Sequence, residues 1–286
     1  LAYFVPEIAP NWLSVAALQR NPDVNSPNPY VISTFSSRCG YAASICVSAP
    51  GTAIYSSVMV GTTVDNMNLG WNNKSGTSMA APHVAGAAAV LMERFPYMSG
   101  EQISTLLKTT ATDLGAPGID SLYGWGMINL GKAVNGPGMF ITAEDIPAEF
   151  RIDGGYGSGQ FVADLPGVGA VVDAGKPTER LCTDVHCGRD VWSNNISGHG
   201  GLTKQGIGTL VLTGSNTYSG PTLVNQGLLA VNGSLTSQVT VSNSGVLGGA
   251  GSIGALNAKS GGTVAPGNSI GTLNVTGDVR FDAGST

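Results

Sequence analysis

"GTSMAAPHVAG", residues 76–86, places a serine where a glycine turn runs into an alanine-rich segment. Ala81, Ala85, Ala88 and Ala89 recur at helical spacing, which predicts a helix over 78–94 able to pack closely inside a core. A serine hydroxyl attacks only after a base has removed its proton, so it must project from a sharp turn with a histidine in reach. Gly76 and Thr77 form the turn that presents Ser78. A helix N-terminus there puts backbone N–H groups beside a forming oxyanion, where they favour negative charge. The competing reading of a lone "GTS" is a helix cap, because serine is a preferred N-cap residue.

Outward from this stretch the pattern is α/β. "NWLSVAAL" (11–18) reads as a buried strand, and "APGTAIYSS" (49–57) as a turn leading into another. Pro96 ends the helix, and Ser99 with Gln102 forms a capping-box pattern opening a second helix that carries Ile103, Leu106 and Leu107. Strands followed by buried helices indicate an α/β unit over residues 1–134.

Past "NGPGMF" (135–140) helical periodicity disappears, and residues 135–195 read as a β-rich connector. From Ile196 the chain is built of Gly, Ser, Thr, Asn, Val and Leu with almost no charge. "GTLVLTG" (208–214) matches "GTLNVTG" (271–277), and "SIGALNA" (252–258) matches "SIGTLNV" (269–275). Short β-branched runs between Gly/Asn turns, recurring at roughly twenty-residue intervals, suit a parallel β-helix in which each rung buries its inner face against its neighbours. The expected fold is thus an α/β domain followed by an all-β, right-handed parallel β-helix over 196–286, with a β-sandwich as the rival for the second part.

Composition narrows the function. Only 11% of the 286 residues are charged and the formal net charge is −5, with no basic cluster to track a phosphate backbone, which argues against nucleic acid as a partner. The apolar stretch 80–92 is broken by Pro82 and His83 and is too short to span a bilayer. The opening "LAYFVPEIAPNWLSV" lacks the basic and small-residue features of a signal peptide and reads as the middle of a longer protein. Four cysteines form two close pairs, Cys39 with Cys46 and Cys182 with Cys187. Local disulfides in an oxidising compartment are one reading; a zinc site recruiting His186 is the other, against which neither pair has CxxC spacing. No cofactor or metal is expected.

The eleven residues 76–86 resemble, one by one, the nucleophile segment of the subtilisin-like serine proteases. "FSSRCGYAASICVSAPGTAIYSS" (35–57) and "YGWGMINLGKAV" (123–134) are similar to further segments of that family, so residues 1–134 resemble the C-terminal part of a subtilase domain. "GGLTKQGIGTLVLTGSNTYSGPTLVNQGLLAVNG" (200–233) resembles the passenger-associated repeat of bacterial autotransporters, and 266–285 its continuation.

The combination implies a subtilisin-like autotransporter protease at the bacterial outer-membrane surface or in the extracellular medium. It would act on protein or peptide substrates, with an outer-membrane β-barrel translocator as partner. The resemblance makes Ser78 the nucleophile and His83 a packed, structural residue. The family's catalytic aspartate, histidine and oxyanion asparagine precede the serine, and here no histidine does. Asp23, Asp65 and Asn11 lie outside the family's motifs, while His186 and His199 lie downstream. The expectation is a serine endopeptidase whose remaining triad members come from an upstream part of the protease domain; a catalytically inactive β-helical surface passenger or adhesin is the alternative.

Overall fold

The computed structural model describes residues 5–60, 68–153, 155–156, 159–172 and 180–286; Asp65 lies outside them. After a 3-10 turn at Pro6–Asn11, β1 (Ser14–Arg20) buries Ala16, Ala17 and Leu18. It runs antiparallel to β2 (Tyr30–Ile32) and parallel to β3 (Cys46–Pro50), in the order β2-β1-β3. "NWLSVAAL" is therefore a strand from Ser14 onward, with Asn11 left in the preceding turn. The "APGTAIYSS" segment closes β3, turns at 51–53 and enters β4 (Ile54–Val60), which pairs with β5 (Asn68–Lys74) in a separate two-stranded hairpin.

Among the described residues three α-helices complete this unit: α1 (Thr77–Arg94), α2 (Gly100–Thr109) and α3 (Leu130–Ala133). The capping box opens α2 as expected: Gln102 N–H donates to Ser99 Oγ, and Ser99 N–H donates to Gln102 Oε1. Cys39 is bonded to Cys46 and Cys182 to Cys187, which removes the thiolates a zinc site would need.

α1 corrects one expectation. Its buried row is Ala80, Val84, Ala87 and Leu91, whereas Ala81, Ala85 and Ala89 are exposed and Ala88 is half-buried. The expected face is one residue, or about 100°, round the helix from the row that packs. A three-stranded sheet covers only one side of α1, so the small-residue flank faces outward.

The second half is a parallel solenoid built turn by turn. The first turn holds β6 (Gln160–Asp164), a small hairpin of β7 (Val171–Val172) and β8 (Arg180–Leu181), and β9 (Arg189–Trp192). The second holds β10 (Gly201–Gln205), β11 (Thr209–Leu212) and β12 (Ser215–Asn216). In the third, β13 (Thr222–Val231) spans two sides, followed by β14 (Ser234–Leu235). The fourth repeats this with β15 (Val239–Gly249) and β16 (Ser252–Ile253). The last residues form β17 (Leu256–Ala258), β18 (Thr263–Pro266), β19 (Asn274–Val275) and β20 (Val279–Phe281). Among the described residues the strands of successive turns pair in parallel, with one isolated antiparallel bridge between Gly249 and Gly267. Stacking begins at Gln160, so the expected start at residue 196 moves back into the segment read as connector.

Register explains the core. Leu210 stacks on Leu229, Leu229 on Leu247 and Leu247 on Val264, so one turn takes about 17 to 19 residues and side chains of one kind form a column. A parallel column runs through Lys204, Val224, Val241 and Ala258. Turns stack closely because glycines mark the corners: a Cβ on Gly227, whose φ is +65°, would stand 2.4 Å from the Gly206 carbonyl oxygen. Lys204 is buried, and its Nζ donates to the carbonyls of Gln205, Gly206 and Gln226, tying two turns together. Burial pushes its pKa down to about 8.

The two halves share one core. Phe95, Tyr97, Leu106 and Phe140 pack in the same cluster as Trp192, Leu202 and Leu210. At the seam Asp190 occupies the position that Leu210 takes one turn later, and its side chain is fully buried. Arg94 at the end of α1 grips it with two bonds, Nη1 to Oδ2 at 3.0 Å and Nη2 to Oδ1 at 2.6 Å. The Tyr97 hydroxyl donates to Oδ2 at 2.5 Å and accepts from Trp192 Nε1 at 3.2 Å. Burial, reinforced by the Asp190 charge, holds the Tyr97 phenol well above its usual range, so it stays protonated and donating.

Candidate active site

Ser78 is the second residue of α1, and Gly76, half-buried, is its N-cap. The N-cap position belongs to Gly76 and Ser78 lies inside the helix, so Ser78 is not the capping residue. Two contacts fix the turn: Gly76 N–H donates to the Gly51 carbonyl at 2.8 Å, and Gly51 N–H donates to Leu18 of β1 at 2.9 Å. Gly51 has no room for a side chain, since a Cβ would lie 2.6 Å from that of Ala17 and 2.9 Å from the Gly76 carbonyl oxygen. Ala53 N–H donates to Ser75 Oγ at 2.9 Å and closes the base of the β4–β5 hairpin beside the same turn.

The core strand β1, the tight β3–β4 turn and the start of α1 thus form one unit that holds residue 78 at the surface. Ser78 is exposed, and its hydroxyl has no hydrogen-bond partner among the described residues. The positive end of an 18-residue helix lies under it, an arrangement that stabilises a negatively charged oxygen nearby.

None of the three histidines completes the site. His83 is exposed, not packed as expected, because it projects from the uncovered side of α1. Its Nδ1–H donates to the Met79 carbonyl at 2.8 Å, which binds the ring to its own helix. His186 Nδ1 lies 2.5 Å from Asp184 Oδ1. The backbone N–H of His186, followed by its ring, lowers the Asp184 pKa, to which the Arg94 charge also contributes. The same loop leads into β9, whose Asp190 is bonded to Arg94 at the far end of α1, about 24 Å along the helix from Ser78 at 1.5 Å per residue.

His199 Nδ1 lies 2.7 Å from Asp145 Oδ1, and that hydrogen bond raises its pKa. The two residues join the turn at Ala143–Asp145 to the loop ahead of β10, in the connector and solenoid. Asp23 caps an exposed turn through the N–H of Asn25. Among the described residues no group of three or more histidines, cysteines or carboxylates could hold a metal ion.

The sequence did not single out Arg94, Tyr97, Asp190 or Trp192. Asp190 stands in the short strand "RDVW" directly before Val191 and Trp192, and a carboxylate beside that apolar pair was the available cue.

A serine presented at the start of a helix packed on a partly parallel sheet, joined to a parallel solenoid, defines a two-part class. The subtilase family description matches residues 2–126, and the passenger-associated-transport repeat matches residues 202–231. The chain thus combines a segment similar to the subtilases with one similar to a passenger-associated transport repeat. It is 54% identical over its whole length to an extracellular serine protease of Serratia marcescens, of which it spans 28%. It is 33% identical over 88% of its length to the Neisserial autotransporter lipoprotein NalP of Neisseria meningitidis serogroup B, of which it spans 20%. Among solved structures, that of fervidolysin from Fervidobacterium pennivorans, a keratinolytic enzyme related to subtilisin, aligns at 35% identity and a TM-score of 0.37, covering 45% of this chain and 19% of that one.

Proposed function

We propose that this chain is part of a secreted or surface-displayed subtilisin-like serine endopeptidase, with Ser78 as nucleophile and the solenoid as the stem that carries it. The carrying observation is the exposed, unpartnered Ser78 hydroxyl at the start of α1, on a turn pinned to the core through Gly51. In this reading Ser78 Oγ loses its proton to a histidine and attacks the substrate carbonyl carbon. The peptide C–N bond then breaks, and the amine leaves with that proton. Backbone N–H groups at the start of α1 stabilise the oxyanion.

His83, His186 and His199 are each held elsewhere. The aspartate, histidine and oxyanion asparagine are therefore assigned to polypeptide outside these 286 residues, docked on the uncovered side of α1. Two features support this: the exposed flank Ala81, Ala85 and Ala89, and the much greater length of the relatives. An outer-membrane β-barrel translocator is the proposed export partner, consistent with the passenger repeat.

The test is Ser78→Ala in the full-length secreted protein, with a fluorophosphonate probe for the activated serine. Proteolysis should fall by a factor on the order of a thousand or more and probe labelling should vanish, while secretion continues. Labelling absent from the wild-type protein itself would favour the second reading, an inactive surface passenger, which the engagement of all three histidines makes specific.

A further inference from the structure

The β4–β5 hairpin carries a group of exposed apolar side chains that the catalytic reading leaves unused. It pairs Tyr55 with Asn73, Ser57 with Trp71 and Met59 with Leu69, so these six side chains share one face. Four of them are large and solvent-facing: Tyr55 at 66% exposure, Trp71 at 66%, Met59 at 55% and Leu69 at 86%. The Tyr55 and Trp71 rings stack with centroids 5.7 Å apart and planes inclined by 26°. Among the described residues β4 and β5 pair only with each other, so each leaves one edge without a strand partner.

Position gives this strip its meaning. The Ala53–Ser75 and Gly51–Gly76 hydrogen bonds join the hairpin base to the turn that presents Ser78. Whatever lies along the hairpin is thereby held in register with the serine. Residues 71 to 78 span at most about 24 Å, the reach of roughly seven residues of extended chain. An extended peptide can add to a free strand edge by main-chain hydrogen bonds while its alternate side chains meet an aromatic surface.

We propose that the β4–β5 hairpin is a substrate-docking strip, with Tyr55 and Trp71 as its aromatic anchors, which selects extended polypeptides bearing apolar or aromatic side chains several residues from the scissile bond. This rests on Ser78 being the nucleophile. Tyr55 and Trp71 are specificity-determining residues that touch substrate remote from the reacting atoms, so their effect enters through KM.

The test uses the full-length secreted protease and two quenched fluorescent peptides with one scissile sequence. One is limited to the residues flanking that bond, and the other is extended by about eight residues with aromatic side chains. Trp71→Ala should lower kcat/KM for the long peptide about tenfold relative to the short one, through KM, with Tyr55→Ala acting in the same direction and Trp71→Phe restoring most of the loss. An unchanged long-to-short ratio overturns the proposal. Equal losses on both peptides with a lowered Tm would mean that the strip is covered by other polypeptide of the same protein. A concentration-dependent change in sedimentation, abolished by Trp71→Ala, would mean that a second copy covers it. Fluorophosphonate labelling of Ser78 is read in parallel: if the docking strip fails, labelling persists, and if the serine reading fails, labelling is absent from the wild type.

Discussion

The two halves of the chain bury apolar surface in different ways. In the solenoid each inward side chain finds its partner about one turn away, as Leu229 does between Leu210 and Leu247. In the α/β half, α1 buries four residues on one side and leaves Ala81, His83, Ala85 and Ala89 in the open. A stacked repeat supplies its own neighbours, whereas a helix packed on a three-stranded sheet depends on chain that is distant in sequence. Each turn of the stem is thus covered by its neighbours, and the α/β half has Ser78 on the side of α1 that its own described residues do not cover.

The seam is where the contrast is most easily broken. Asp190 takes a leucine's place in the solenoid column because α1, with Arg94, stands there instead of another turn. Asp190→Ala would leave Arg94 and the Tyr97 hydroxyl without their shared acceptor and should destabilise the protein by about 4 kcal/mol, as breaking a buried pair does. Denaturant unfolding followed by the fluorescence of Trp192 checks this; a loss below about 1 kcal/mol would show that the halves do not rely on the contact.

Within the stem, Leu229→Ala removes the middle of a three-leucine column and should cost about 3 kcal/mol. Hydrogen exchange should show the loss in the turns of β11, β13 and β15, with α2 protected as before. Loss of protection spread equally over α1 and α2 would instead make the two halves one cooperative unit.

The smallest expected effect concerns Lys204. Its folded pKa of about 8 lies below the ordinary lysine value of 10.5, so between those limits the unfolded chain binds the more protons and stability rises with pH. At neutral pH the buried charge costs on the order of 3 kcal/mol, which is recovered as the solution is raised from about pH 8 to 10.5. Lys108, also lowered to about 8 by burial, titrates in the same window in the α/β half. Lys204→Met should therefore halve the rise without abolishing it, as melting curves at pH 7 and pH 10 would show. An unchanged rise would place the titration in α2 alone.

Much of the solenoid was legible, but the pairs that suggested it are not structurally equivalent. "GTLVLTG" forms β11, while its match "GTLNVTG" carries β19 in another sheet. The segment that does stack on 208–214 is "GLLAVNG" (227–233), on which "GVLGGAG" (245–251) stacks in turn, and all three share glycines at both ends and apolar residues inside. Composition and spacing reveal such a repeat because the inner face of each turn meets the same environment as the last. The start at Gln160 was hidden, since the β7–β8 hairpin and the Cys182–Cys187 loop interrupt the first turn and lengthen it.

In the α/β half, the sequence alone determined the helix after Ser78, the capping box of α2 and the pattern that presents the serine. These depend on residues a few positions apart, and local backbone chemistry suffices for them. Only the tertiary structure decided which side of α1 is covered, where each histidine is held, and that Gly51 supports the turn before Ser78. It alone decided that Asp190 joins Arg94 and Tyr97 across more than ninety residues. Helical spacing states that a face exists, but what lies against that face is set by distant segments. For the same reason the serine was visible in the sequence, and the open surface around it was not.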